Sequence, residues 1–408
     1  MRLLLLLILI LFSGFLFASE STNEYYLEDI VTNFNLSIVP EQCDSEFMTY
    51  SNQYDKVIFR KFSRKVYFNN TLYWLNDAFS PSKSNGWFIS EQDYTKMLLP
   101  LFVDNSLTNK MENFVVFIDP GHGGADPGAF HRSVTNLKES DIVFNISTNL
   151  ARLLKDSGVQ VFMSRTNDMF VSLSDRTKMA NAVNSSVFIS IHVNSAPGTS
   201  ASGFETYTLP LGHSFSTSGN SKPRLYMGNN NDIFNSLLGY SIHNSLLKDF
   251  PAHQDRGIKH ARYEVLKNIN CPAILVECGF LSNKNERKLL AGAEHQRKIS
   301  ESIFRGTTNY VQSVVVVGDY ILDNNIETIV YVEPVITNNI CILSNNLQSV
   351  AAGGDYILDN TIETIVYVEP VSTNNICFAT NEFQCIEMSS NLTVNEDCES
   401  LEVFLIEN

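Results

Sequence analysis

Three residues of this chain pair a chemistry-capable side chain with a position at the end of a short apolar run: His122, His192 and Glu277. The runs are residues 114–118, 186–191 and 273–276. His122 follows Asp119-Pro120-Gly121, where proline and glycine stop a strand, and Gly123-Gly124 leave open space around its ring. One histidine beside a tight turn is most simply a core or surface residue. Three such strand ends make a constellation. A fourth residue, Glu139, stands just ahead of Ser140-Asp141 and of Ile142, Ile146, Leu150, Leu153 and Leu154, spaced as on a helix. Its simplest reading is a carboxylate favoured by the helix dipole; beside two histidines it also qualifies as a third ligand, through oxygen. Two imidazoles and one carboxylate, with one position left to water, are the donor set of catalytic zinc. A structural zinc would be closed by four protein ligands, usually with cysteine, and the chain has no CxxC spacing. Glu277 is then spare, free to take a proton from water and return it to a leaving group. Cys278 offers a thiol beside it, but neighbouring strand residues point to opposite sides, which argues against a shared role.

The apolar runs read as strands of a parallel sheet, whose ligands bind beyond the carboxyl ends of the strands. Further strands are expected at 160–164 and 203–209. Helices are expected at 142–157, at 172–184 with Ser172 and Asp175 as capping residues, at 232–250, at 286–290 and at 293–311. Alternating strands and helices predict an α/β fold, a mostly parallel sheet covered by helices on both faces.

The motifs IDPGHGG (118–124), LKESD (137–141), SRTND (164–168), SLSDR (172–176), FISIHVNS (188–195), GFETY (203–207) and PAILVECGFLSN (272–283) stand in this order. Over residues of about 112–312 the chain resembles the zinc-dependent N-acetylmuramoyl-L-alanine amidases of the amidase 3 family, which cut peptide stems from peptidoglycan. The resemblance places the metal ligands at His122, Glu139 and His192 and the catalytic glutamate at Glu277, the four residues reached above. It implies hydrolysis of the amide between N-acetylmuramic acid and L-alanine with one Zn²⁺ ion and peptidoglycan as partner. Whether an activator protein is involved stays open. Asn194 is a candidate substrate contact, and Glu205 is expected to be structural. Arg165 and Arg176 could clamp a substrate carboxylate, although ion pairs with Asp168 or Asp175 are favoured. Two other classes compete: a wall-binding protein without turnover, and a zinc peptidase or deacetylase acting on another envelope amide.

Residues 1–18, Met1-Arg2 followed by an apolar run to Phe17 and then Ala18, read as a secretory signal. The enzyme is therefore expected outside the cytoplasm, periplasmic or extracellular, without stable membrane insertion once the signal is removed. Residues 19–110 form a β-rich N-terminal module holding both tryptophans, Trp74 and Trp87, which are favoured as core over a sugar platform. The module is similar to a small N-terminal module of copper amine oxidase type; no copper site carries over, and a β-rich appendage is implied. Residues 111–313 are the expected catalytic domain and 314–408 a tail. Residues 1–313 carry 29 Lys and Arg against 29 Asp and Glu, whereas the tail carries 15 Asp and Glu and no Lys or Arg. The whole net charge of −15 thus comes from the tail, and no basic patch suggests nucleic acid. Within the tail, residues 318–341 recur at 354–377 with two substitutions in 24 positions, read as a small β module or paired strands. Four of the seven cysteines, Cys341, Cys377, Cys385 and Cys398, lie there and could staple it in an oxidising compartment. Cys271 and Cys278 could also pair. Asp319, Asp323, Asp355 and Asp359 are expected to form a solvated surface rather than a calcium site. The remaining histidines, His131, His213, His243, His253, His260 and His295, are expected in loops or on solvated helix faces.

Overall fold

A computed structural model of the chain describes residues 24–82, 86–102, 114–131, 137–218 and 222–323, with six short strands between 328 and 395. The expected signal, 1–18, lies outside the described residues, as do Asp355, Asp359 and Cys398.

The N-terminal part supplies β1 (Glu24–Tyr26), α1 (Leu27–Asn33), β2 (Ser37–Ile38), β3 (Phe47–Ser51), β4 (Lys56–Arg60), β5 (Ser63–Phe68), β6 (Thr71–Pro81) and β7 (Trp87–Ser90). A helical turn, Asp93–Leu98, leads into α2 (Leu99–Phe102). The larger part begins with β8 (Val115–Pro120), the two-residue strands β9 (Phe130–His131) and β10 (Leu137–Lys138), α3 (Glu139–Asp156), β11 (Gln160–Met163), α4 (Leu173–Ala182) and β12 (Val187–Asn194). It continues with β13 (Phe204–Thr208), α5 (Asp232–Asp249), β14 (Asp255–His260), α6 (Glu264–Lys267), β15 (Ala273–Phe280), α7 (Lys284–Leu290) and α8 (Ala293–Asp323).

The strands lie in the order β11-β8-β12-β15-β13-β14 and continue through β6-β5-β4-β3-β2. β11, β8, β12 and β15 are parallel, and β13 runs antiparallel to β15. β8, β12 and β15 are buried on both faces, which is why they read as unbroken apolar runs. Alternation sorts their side chains. Val116, Ile118, Ile189, Ile274 and Val276 pack with Ile142, Ile146 and Leu150 of α3, Leu237 and Leu238 of α5, and Ile299 and Ile303 of α8. On the other face Phe117, Phe188 and Leu275 pack with Ala180 of α4 and with Val265 and Leu266 of α6. Helices therefore cover both faces, as predicted. Ser172 caps α4, accepting from the Asp175 amide at 3.1 Å, as its position in the sequence suggested.

The N-terminal part is β-rich as expected, but its sheet is not a separate appendage. β6 pairs in parallel with β14 through Tyr73 and Ile258. The Leu72 amide donates to Asp255 Oδ2 at 2.7 Å, and His260 Nε2 donates to the Trp74 carbonyl at 2.7 Å. Lys96 and Asp232, both buried, face each other at 3.9 Å. One apolar cluster runs from Leu27 to Val311, so the expected boundary at 110/111 divides neither the sheet nor the core. Trp87 stacks on Phe79 at 4.8 Å, and Trp74 is half-buried beneath Lys65, in keeping with packing. The boundary at 313/314 falls inside α8. Beyond α8, Thr328–Tyr331 pairs in parallel with Thr364–Tyr367, and Ile340–Leu343 with Ile376–Ala379, so equivalent positions of the two repeats face each other. Cys43, Cys271 and Cys278 are free thiols, and the pairing of Cys271 with Cys278 is not made. Among the histidines whose side chains are described, two depart from expectation. His243 and His260 are buried, because Thr206, Asp255, Thr208 and the Trp74 carbonyl satisfy their ring nitrogens.

Candidate active site

Three strand ends and one helix start converge at the carboxyl edge of the sheet. His192 and Glu277 are register partners on β12 and β15. β8 ends beside them, where the Gly121 amide donates to the Ile191 carbonyl at 3.0 Å. His122 then sits on the turn with φ of +59°, an uncommon conformation for a side-chain-bearing residue. Two buried arginines hold that turn. Arg165 donates to the carbonyls of Pro120 (3.1 Å) and Gly121 (3.0 Å); Arg176 donates to those of Pro120 (2.7 Å) and His122 (2.9 Å). Glu139 is the first residue of α3, and its amide donates to the Ala129 carbonyl at 2.9 Å, which docks the helix start on the same loop.

Glu139 Oε1 stands 3.2 Å from His122 Nε2 and 3.0 Å from His192 Nδ1. One donor atom from each of the three residues lies within 4.8 Å of the others, close enough to share one ion. The Glu139 carboxylate also accepts from the amides of Val193 (3.0 Å) and Ala129 (2.8 Å). Burial opposes its charge, but hydrogen bonds from His122 and His192 prevail and hold it well below the usual carboxylate range. The site is tightly built: a Cβ at Gly121 would lie 2.3 Å from the His192 ring, and one at Gly128 would lie 2.6 Å from Glu139 Oε2.

Glu277 lines the same cavity, about 450 Å³, together with His122, His192, Asp126 and Tyr263. Burial, reinforced by the Glu139 and Glu205 carboxylates, pushes it well above the ordinary glutamate range. Its Oε2 is buried and finds no hydrogen-bond partner among the described residues. A buried, unpaired carboxylate oxygen next to two imidazoles and a second carboxylate fits a site completed by a cation. Cys278 points away into the core, where burial raises its thiol, so the thiol reading has no support.

Other residues fall differently from expectation. Arg176 pairs with buried Asp119 at 2.6 Å, not with Asp168 or Asp175, and Arg165 bonds backbone carbonyls; neither is free to clamp a substrate. Asn194 does not line the cavity. Its side-chain amide donates to Glu205 at 3.2 Å and its oxygen accepts from the Ser195 amide. Glu205 is buried and structural, bound by Arg256, by Lys259 (2.8 Å) and by the Tyr207 hydroxyl (2.6 Å). Two important residues escaped sequence reasoning. Asp126 accepts from His122 Nδ1 at 2.8 Å, orienting the ring and leaving Nε2 facing Glu139. Its signal was present, because Asp126-Pro127-Gly128 repeats the Asp119-Pro120-Gly121 turn. Asp119 ties three elements together by accepting from Ser164 after β11 (2.6 Å), Ser190 on β12 (2.8 Å) and Arg176 on α4.

Residues 116–309 match the Amidase 3 family, described as N-acetylmuramoyl-L-alanine amidase. The chain is 33% identical over 200 residues to the uncharacterised protein YqiI of Bacillus subtilis, covering 49% of this chain and 86% of that one. It is 34% identical over 200 residues to the sporulation-specific N-acetylmuramoyl-L-alanine amidase of the same organism, covering 48% of this chain and 65% of that one. A solved N-acetylmuramoyl-L-alanine amidase from Clostridium difficile 630 shares 33% identity, with a TM-score of 0.41 and coverage of 48% and 96%. The family match and the 33% identity over 86% of the Bacillus subtilis relative settle the family: the chain belongs to the Amidase 3 family of N-acetylmuramoyl-L-alanine amidases.

Proposed function

We propose that the chain hydrolyses the amide between N-acetylmuramic acid and L-alanine in peptidoglycan, with Zn²⁺ held by His122, Glu139 and His192 and Glu277 carrying the proton. The observation that carries this reading is the approach of both imidazoles to Glu139 Oε1 beside Glu277, one strand away. When bound, zinc supplies a Lewis acid and a water acidic enough to lose a proton near neutral pH.

The chain's own residues do the rest. Asp126 holds His122 through Nδ1, so that Nε2 is the ring nitrogen that would give up its proton and offer its lone pair to an ion. Arg165 and Arg176 fix the carbonyls around His122 and thereby its strained backbone. Glu277 accepts a proton from the attacking water at a carboxylate oxygen and returns it to the departing amine nitrogen. Burial and two neighbouring carboxylates favour its protonated form; a divalent cation beside it counters that bias, so that it can act first as base and then as acid. Phe170, Val171 and Leu275 give the cavity an apolar lining.

The apolar leader at 1–18 supports export to the cell envelope, where peptidoglycan lies. No helix among the described residues is long and apolar enough to cross a membrane. Digestion of purified peptidoglycan tests the proposal. The expected product is free stem peptide with an L-alanine amino terminus; release of acetate, or cuts confined to bonds within the peptide, would replace this reading with a deacetylase or a peptidase.

A further inference from the structure

The cavity over the site has an apolar wall that the proton chemistry does not use. Met169, Phe170 and Leu173 are 47%, 56% and 54% exposed, and Phe170 and Leu173 line the cavity that also holds His122 and Glu277. Large apolar side chains left in water beside a reactive group are an informative form of exposure. The segment is held firmly. The Gly124 amide donates to Asp168 Oδ1 at 2.7 Å, Arg176 Nε donates to the Val171 carbonyl at 3.0 Å, and Ser172 caps the following helix. A Cβ at Gly124 would lie 2.6 Å from the Phe170 nitrogen, so this wall packs directly against the His122 turn.

The order of strands gives the cavity a direction. Residues 169–173 follow β11, at the end of the sheet next to β8 and His122, whereas Glu277 stands on β15, separated from β8 by β12. An amide bound across this edge must turn its nitrogen towards Glu277, the group that protonates it. Its acyl half then points back towards β8 and β11.

Resting on the amidase reading above, we infer that Phe170 and Leu173 form the surface that receives the acyl half of the substrate, the lactyl group and pyranose ring of N-acetylmuramic acid. The C–H face of the sugar lies on the Phe170 ring, and the peptide half lies on the Glu277 side. Phe170 is thus a specificity-determining residue, selecting for a sugar on the acyl side of the scissile bond.

The two product halves separate the roles. Zinc-loaded enzyme cleaving N-acetylmuramoyl-L-alanyl-D-isoglutamine is inhibited in turn by N-acetylmuramic acid and by L-alanyl-D-isoglutamine. Phe170→Ala is expected to weaken inhibition by the sugar about tenfold, the size of one lost aromatic contact, and to leave inhibition by the peptide unchanged. Phe170→Trp should keep the sugar inhibition, and Leu173→Ala provides the same test if the first variant folds poorly. Equal weakening for both halves, weakening for the peptide alone, no change, or a wild type that the sugar does not inhibit would each overturn the inference. A wild type that leaves the substrate uncut would instead sink the amidase reading itself.

Discussion

Replacing Gly121 by alanine tests the convergence of the strand ends with one methyl group. The added Cβ would lie 2.3 Å from Cε1, 2.5 Å from Nε2 and 2.8 Å from Nδ1 of His192. Carbon contacts settle near about 3.5 Å, so the ring must move by about 1 Å. His192 Nδ1 stands 3.0 Å from Glu139 Oε1, and metal ligands tolerate displacements of only about 0.2 Å. The ring therefore leaves the ligand set, and the site keeps two of its three donors. Loss of a group that merely supports a ligand weakens metal affinity by about 10–100-fold. Loss of a ligand should cost at least the upper end, about 2.7 kcal/mol. The assay is zinc affinity by competition with a chromogenic chelator, with circular dichroism confirming the fold. Gly198→Ala is the control, because a Cβ there meets nothing within 4 Å. Wild-type zinc affinity in Gly121→Ala would show that His192 is not a ligand in the arrangement described.

Three other perturbations follow from the same geometry. Asp126→Asn removes the charge of the group that orients His122; zinc affinity should fall about 10–100-fold with little change in melting temperature, read by the same competition. His260 is buried between Thr208 and the Trp74 carbonyl, and burial lowers its pKa to about 4. Its neutral form is the folded one, so its contribution is complete above the unfolded value of about 6.5 and is lost as pH falls towards 4, about 3 kcal/mol in all. Between pH 7.5 and 4.5, wild type should therefore lose more stability in urea titrations than His260→Gln does; equal losses would refute the assignment. Deleting residues 24–102 should yield aggregated or unfolded protein rather than a free catalytic domain, because these residues share the core and extend the sheet through β6; a soluble, cooperatively melting 114–323 fragment would contradict this.

Much of the site was legible because it is built where periodicity breaks. Apolar runs that stop at His122, His192 and Glu277 announce strand ends, and a helical stripe beginning after Glu139 announces a helix start. What joins those ends was not legible. Arg176 meets Asp119, 57 residues away in sequence, and no local pattern distinguishes that partner from the nearer Asp168 or Asp175. Asp126 reaches His122 only because the chain doubles back through two glycine turns. The fusion of the N-terminal sheet with the larger one depends on the pairing of β6 with β14, set by tertiary packing over more than 180 residues. His243 and His260 read as solvated because their neighbours along the chain are polar; the threonines, the aspartate and the carbonyl that satisfy them come from other elements.

The central claim is that two imidazoles and a helix-start carboxylate hold one zinc while Glu277 moves the proton. The most direct measurement is metal content together with release of stem peptides bearing an L-alanine amino terminus, for wild type and Glu277→Gln. The account predicts one zinc per chain in both proteins and peptide release falling by about a hundredfold or more in the variant alone. Undiminished release by Glu277→Gln, or a wild type that cleaves without zinc, would contradict it.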